Sequence, residues 1–154
     1  MTDREEISEW LKTLVGKRIT GVQLCVFAFS DDRTELLEIE LFADSAAQGI
    51  IKLSSDGESI RHHGGKLQSA ADLGSSGTIQ ISPTTDTFDT RRIIGAMVEG
   101  TGIFTEGLVV IGLELQLSND LRVRVLNVGD EMRVLLNEGH PMLEETGISF
   151  ERLA

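Results

Sequence analysis

Leu113-Glu114-Leu115-Gln116-Leu117 repeats the grammar of Leu37-Glu38-Ile39-Glu40-Leu41. In both stretches apolar and polar side chains alternate strictly, the period of a β-strand with one greasy and one polar face. The segments flanking the two copies match as well. Ile93-Ile94-Gly95-Ala96-Met97-Val98 stands where Leu14-Val15-Gly16-Lys17-Arg18-Ile19 stood, and Gly129-Asp130-Glu131-Met132-Arg133 matches Gly57-Glu58-Ser59-Ile60-Arg61. The three matches keep one order, with offsets of 79, 76 and 72 residues. This pattern predicts an internal duplication. The fold expected is α+β and mostly antiparallel: two pseudo-repeated β-halves sharing one core, related by a pseudo-twofold axis.

The remaining punctuation fits. Arg18 to Ser30 reads as a strand with Val22, Leu24 and Val26 on one face and Phe27 and Phe29 on the other. Asp31-Asp32-Arg33 is a turn, Ile50 to Leu53 a strand, Ser54 to Gly57 a turn, and Ser59 to His63 a short strand. Residues 64–83 form a Gly- and Ser-rich connector broken by a short strand at Thr78 to Ser82, which Pro83 ends. Thr84 to Thr90 is polar and leads as a helical turn into Arg91. Leu121, Val123 and Val125 alternate with Arg122 and Arg124 in another half-buried strand. One domain over 1–154 is expected, with halves 1–65 and 84–140 and a tail from 141 to 154. Each half alone is marginal in size for an independent core, so their apolar faces should pack on each other.

An N-terminal helix precedes the first half. Thr2 and Glu5 have capping-box spacing, and Asp3, Glu5 and Glu6 put negative charge at the positive end of the helix dipole. Ile7, Trp10, Leu11 and Leu14 recur on one face, and Gly16 supplies the stop.

Fourteen basic against 25 acidic side chains give a net charge of −11. Such a field repels phosphate backbones and anionic lipids, so neither nucleic acid nor membrane is an expected partner. No apolar run approaches the roughly 20 residues that cross a bilayer. The opening Met1-Thr2-Asp3-Arg4-Glu5-Glu6 lacks the basic-then-apolar layout of a secretory signal. The single Cys25, flanked by Leu24 and Val26, reads as a buried hydrophobe in a reducing compartment, and a cytoplasmic location is expected.

No catalytic or metal site emerges. His62 and His63 are adjacent on a strand and point to opposite faces, without a carboxylate or thiol at a recognised ligand spacing. His140 sits in the turn-like Glu138-Gly139-His140-Pro141, with no G-x-S-x-G elbow anywhere to pair with it. Gly95 and Gly100-Thr101-Gly102 lack the context of a phosphate loop. With no tyrosine and one tryptophan, stacking platforms for sugars or single strands are scarce. No cofactor is expected.

What points outward is acidity. Asp31, Asp32 and Glu35 gather at a loop tip, Glu38 and Glu40 are expected to face solvent on the next strand, and Glu58 lies at a turn. Together they form the expected partner-binding face, suited to steering a basic protein. The tail carries Met142, Leu143, Ile148, Phe150 and Leu153, which need burial on the domain or on a second copy.

The stretch Leu14-Val15-Gly16-Lys17-Arg18-Ile19-Thr20-Gly21-Val22, followed by the alternating Leu37 to Leu41, resembles the start of small uncharacterised bacterial two-repeat β-rich families. Some of these are similar to immunity proteins encoded beside secreted toxins. The resemblance implies a cytosolic, non-enzymatic binder that inhibits a basic protein toxin by acidic complementarity. The alternatives are a structural or assembly role as a homodimer, or an enzyme whose site has no legible motif.

Overall fold

The computed structural model describes residues 1–46, 48–82 and 88–154. Among the described residues are one α-helix, α1 (Asp3–Leu14), and eleven strands. The first six are β1 (Ile19–Ala28), β2 (Thr34–Ala43), β3 (Gly49–Leu53), β4 (Ile60–His63), β5 (Ala71–Asp72) and β6 (Thr78–Ser82). The rest are β7 (Val98–Glu106), β8 (Val109–Leu117), β9 (Arg122–Val128), β10 (Glu131–Leu136) and β11 (Ile148–Arg152). They form two antiparallel sheets, ordered β4-β3-β2-β1-β6-β5 and β10-β9-β8-β7-β11. The fold is α+β and mostly antiparallel, as the alternation of apolar residues implied.

The two sheets repeat one design down to their irregularities. The pairing of β1 with β2 shifts between Ile19 and Gly21, and that of β7 with β8 shifts between Val98 and Gly100, 79 residues later. A second shift falls between Cys25 and Val26 in one sheet and between Phe104 and Thr105 in the other, again 79 apart. Bulges re-aim the side chains that follow them, so two shared bulges give both sheets the same facing pattern.

Register also corrects one sequence match. Leu24 pairs with Ile39 and its counterpart Ile103 with Leu113, so the second strands correspond at an offset of 74, not 76. The counterpart of Glu114 is therefore Glu40. The offset of 72 holds for β4 and β10, where Lys52 pairs with Arg61 and Leu126 with Arg133. The other partners of β1 and β7 are β6, the short strand expected within the connector, and β11, from the stretch read as tail; β5, also from the connector, pairs on the far side of β6. Pro83 to Thr87, including most of the expected helical turn, lie outside the described residues; a 3-10 turn follows at Thr90–Arg92.

Equivalent residues meet at a seam. Arg18 bridges Met97; Gly16 N–H donates to the Val98 carbonyl at 2.8 Å, and Gly95 N–H to the Ile19 carbonyl at 2.7 Å. Ile19 N–H to Ala96 O and Val98 N–H to Lys17 O, both 2.8 Å, complete the reciprocal set. Gly16 (φ 82°) and Gly95 (φ 93°) both take the left-handed turn that glycine alone enters freely. The β3–β4 and β9–β10 turns meet too, through Asn127 Nδ2 donating to the Gly57 carbonyl at 2.7 Å.

The inner faces and the helix close one core. Leu24, Val26, Ile39, Leu41, Ile51 and Ile60 from the first sheet join Ile103, Leu113, Leu115, Val123 and Val125 from the second, with Ile7, Leu11 and Leu14 of α1 fully buried among them. The helix starts as expected, with Glu5 N–H donating to Thr2 Oγ1 at 3.1 Å and Thr2 N–H to the Glu5 carboxylate. Trp10 lies on His62, ring centroids 4.7 Å apart and planes 18° from parallel. No helix among the described residues is long and apolar enough to cross a membrane.

His62 thus faces inward, and both its ring nitrogens are sealed from solvent without a hydrogen-bond partner among the described residues. Burial lowers its pKa from the ordinary 6.5, the charge of Glu6 opposes this, and His63 adds to the lowering. A folded-state value below the unfolded one means that the unfolded chain takes up the proton first. Stability is therefore expected to be intact above pH 6.5 and to fall progressively as pH drops below it. His62→Phe, which keeps the stack on Trp10, should flatten that part of a urea-stability profile. An unchanged slope in the variant would assign the acid sensitivity to other groups.

Candidate functional site

The six carboxylates expected to form one partner-binding face are divided by the structure. Asp31 and Asp32 are exposed at the β1–β2 tip, where Asp31 is held below the usual carboxylate range, chiefly by the Arg33 side chain that donates to it at 2.8 Å. Glu35 is half-buried near Lys52 and Lys66, and Glu58 is exposed at the β3–β4 turn. Glu38 and Glu40 do not face solvent: each is only 6% exposed. Alternation fixed which way they point, outward from the shared core, but not whether that outer face is wet. The segment after β4 folds back over it, so that Gln68 N–H donates to Glu38 Oε1 at 2.7 Å, while Gln48 Nε2 donates to Glu40 Oε2.

His63 approaches Glu38 at 3.5 Å, but its Nδ1 already accepts from Gly65 N–H at 3.2 Å. Through Nδ1 the imidazole holds the loop after β4, while its buried Nε2 has no hydrogen-bond partner among the described residues. Cys25 is fully buried opposite Glu38; burial, and then the Glu38 charge, push its thiol pKa up to about 11, so it stays protonated and unreactive. Among the described residues no three His, Cys, Asp or Glu side chains gather closely enough to hold a metal.

The second sheet carries a different arrangement. One row across it runs Arg124 on β9, Glu114 on β8, Gly102 on β7 and Arg152 on β11. Glu114 is buried, its side chain 3% exposed, on the face turned away from the shared core. Arg124 Nε donates to its Oε1 at 3.0 Å, Arg152 Nη2 to its Oε2 at 3.3 Å, and Arg122 Nε lies 3.4 Å from Oε1. Gly102 lies between Glu114 and Arg152 in this row. A Cβ there would come within 2.4 Å of the Phe150 ring, so the close fit of Phe150 beside the arginines depends on that glycine.

The 3-10 turn at Pro141–Glu144 roofs this face, where Phe104, Ile111 and Leu126 form a second small apolar cluster. Between roof and row lies an open cleft of about 660 Å³, lined by the three arginines and Glu114, by Phe104 and Phe150 in the next row of the same sheet face, and by Leu143 of the roof. That volume is ordinary for a small-molecule site. His140 also lines it, and its Nδ1 accepts from Met142 N–H at 3.1 Å. Neutral His140 therefore carries its proton on Nε2, as a further donor.

The first sheet offers an internal comparison. Glu40 occupies the position of Glu114, with Ile50 in place of Arg124, Gln23 in place of Gly102, and Gln48 two residues before Ile50 as Arg122 is before Arg124. A neutral amide there suffices to accompany an equally buried carboxylate. Three guanidiniums around Glu114 exceed what its burial requires. Each guanidinium has five N–H donors and the carboxylate only two oxygens, so the cleft holds a surplus of donors. Of these arginines, only Arg152 fell outside the strand that sequence alternation had marked, and nothing in sequence signalled that β11 returns beside β7.

Comparison of the chain with models of protein families, with curated proteins and with solved structures finds no match.

Proposed function

We propose that this chain is a non-enzymatic binding protein whose cleft on the outer face of the second sheet holds an anionic group. The observation that carries this is the donor surplus of Arg122, Arg124 and Arg152 around the single buried Glu114. Guanidiniums stay protonated at any physiological pH and recognise planar or tetrahedral oxyanions, so they hold a ligand without shuttling its protons. The chain-wide charge of −11 repels anions at long range, which makes a local cationic cleft the more specific.

The test is calorimetric titration with acetate and with inorganic phosphate at constant ionic strength. It compares the native chain with Arg122→Gln/Arg124→Ile, the residues that the first sheet places around Glu40. Binding of at least one of the two anions to the native chain, absent from the double variant, is the expected result. The reading is sunk only if neither anion behaves so, each binding neither chain or both equally.

A second reading is favoured by the placement of the four remaining carboxylates. The β1–β2 tip with Asp31, Asp32 and Glu35 and the β3–β4 turn with Glu58 lie at the same end of the first sheet, which follows from its antiparallel order. An inhibitor of a basic protein would dock there. Capture of one basic protein from host lysate at low salt, lost at high salt and lost again on reversing Asp31 and Asp32 to lysine, is its expected signature.

A further inference from the structure

We infer that the ligand of the arginine cleft is a carboxylate on an apolar, aromatic-sized body, an inference that rests on the anion-binding reading above. Charge sets the head group. Three guanidiniums face two lining carboxylates, Glu114 and the exposed Glu144, and leave one net positive charge. A monoanion balances that; a phosphate monoester, mostly dianionic, brings one charge too many against Glu144. Geometry agrees, since the planar fork of a guanidinium matches a carboxylate with two parallel hydrogen bonds. Arg122 and Arg152 have the free donors for it, with side chains 47% and 44% exposed, whereas Arg124 also spends Nη1 on the Glu138 carbonyl at 3.0 Å.

The apolar part of the lining sets the body. Phe104 and Phe150 lie 4.8 Å apart at 48°, and Phe150 is 41% exposed in a chain with few aromatic side chains. Arg152 lies 5.1 Å over the Phe150 ring and Arg124 5.8 Å over that of Phe104, so the cationic and apolar parts of the lining adjoin. A ring seated against Phe150 and Leu143 thus brings its attached carboxylate to Arg152 and Arg122.

The experiment titrates the full chain separately with benzoate, acetate, benzamide and inorganic phosphate. Benzoate should bind about tenfold or more tighter than acetate, the worth of burying a ring face. Benzamide, the same body without charge, should not bind measurably. Phe150→Ala, at a half-exposed edge position, should bring benzoate down to the affinity of acetate. Phosphate binding with benzoate no better than acetate would overturn this inference and leave the anion site standing. Failure of every anion would overturn both. Benzamide binding as well as benzoate would also overturn the inference, because the arginines would then not be holding the head group.

Discussion

Trp10→Ala is expected to lower the unfolding free energy by about 3–5 kcal/mol, a large share of the roughly 5–15 kcal/mol that holds a domain together. Trp10 is 4% exposed, stacks on His62 and fills the space beside Gly49 so closely that a Cβ on Gly49 would come within 2.2 Å of its ring. Removing the ring leaves a cavity between α1 and the β3–β4 hairpin. The same contact predicts the behaviour of Gly49→Ala. Alone, the added methyl collides with an aromatic ring that has no room to move, at a cost of about 1–3 kcal/mol or more. In the Trp10→Ala background the methyl enters vacated space, so that penalty should vanish. Denaturant unfolding of the two single variants and the double variant measures this coupling directly. Additive costs would mean that the helix sits elsewhere on the sheet.

The second large effect concerns Glu114. Glu114→Ala is expected to cost about 3 kcal/mol, the low end for stripping one partner from a buried ion pair. The low end applies because Arg122 and Arg152 are nearly half exposed and water resolvates them; Arg124, at 18%, bears most of the loss. Added phosphate should restore part of the stability, since it binds the folded form where Glu114 had competed for the same donors. Glu40→Ala removes an equally buried carboxylate, but one accompanied by the neutral Gln48, and should cost clearly less. If the two alanine variants lose the same stability, the arginines are not organised around Glu114.

How far these features were legible in the sequence depended on what period two can encode. Alternation at Leu37 to Leu41 and Leu113 to Leu117 disclosed the strands and their repeated pattern, because apolar faces need a common core. It could not fix register between copies: a slip of two residues leaves an alternating pattern unchanged, which is how an offset of 76 stood in for 74. That slip set Glu38, rather than Glu40, opposite Glu114. Alternation was also silent on what covers the outer face, so buried Glu38 and Glu40 read as wet. The helix needed no tertiary information, since Thr2, Glu5 and the spacing of Ile7, Trp10, Leu11 and Leu14 are local signals. The cleft was the reverse case. Arg122 and Arg124 read as a solvated strand face, and only the return of β11 beside β7 brings Arg152 to the same carboxylate.

The seam at Arg18 and Met97, where each residue meets its own counterpart, follows the rule of an isologous contact between two identical subunits. Here both partners belong to one polypeptide. In a pair of separate identical subunits, an arginine gained beside the buried glutamate would appear twice, and its electrostatic cost would be doubled with it. Covalent linkage removes that constraint. One half carries Gln48 and Ile50 where the other carries Arg122 and Arg124, so a symmetric framework holds a single arginine cleft, and the proposed ligand would bind once per chain.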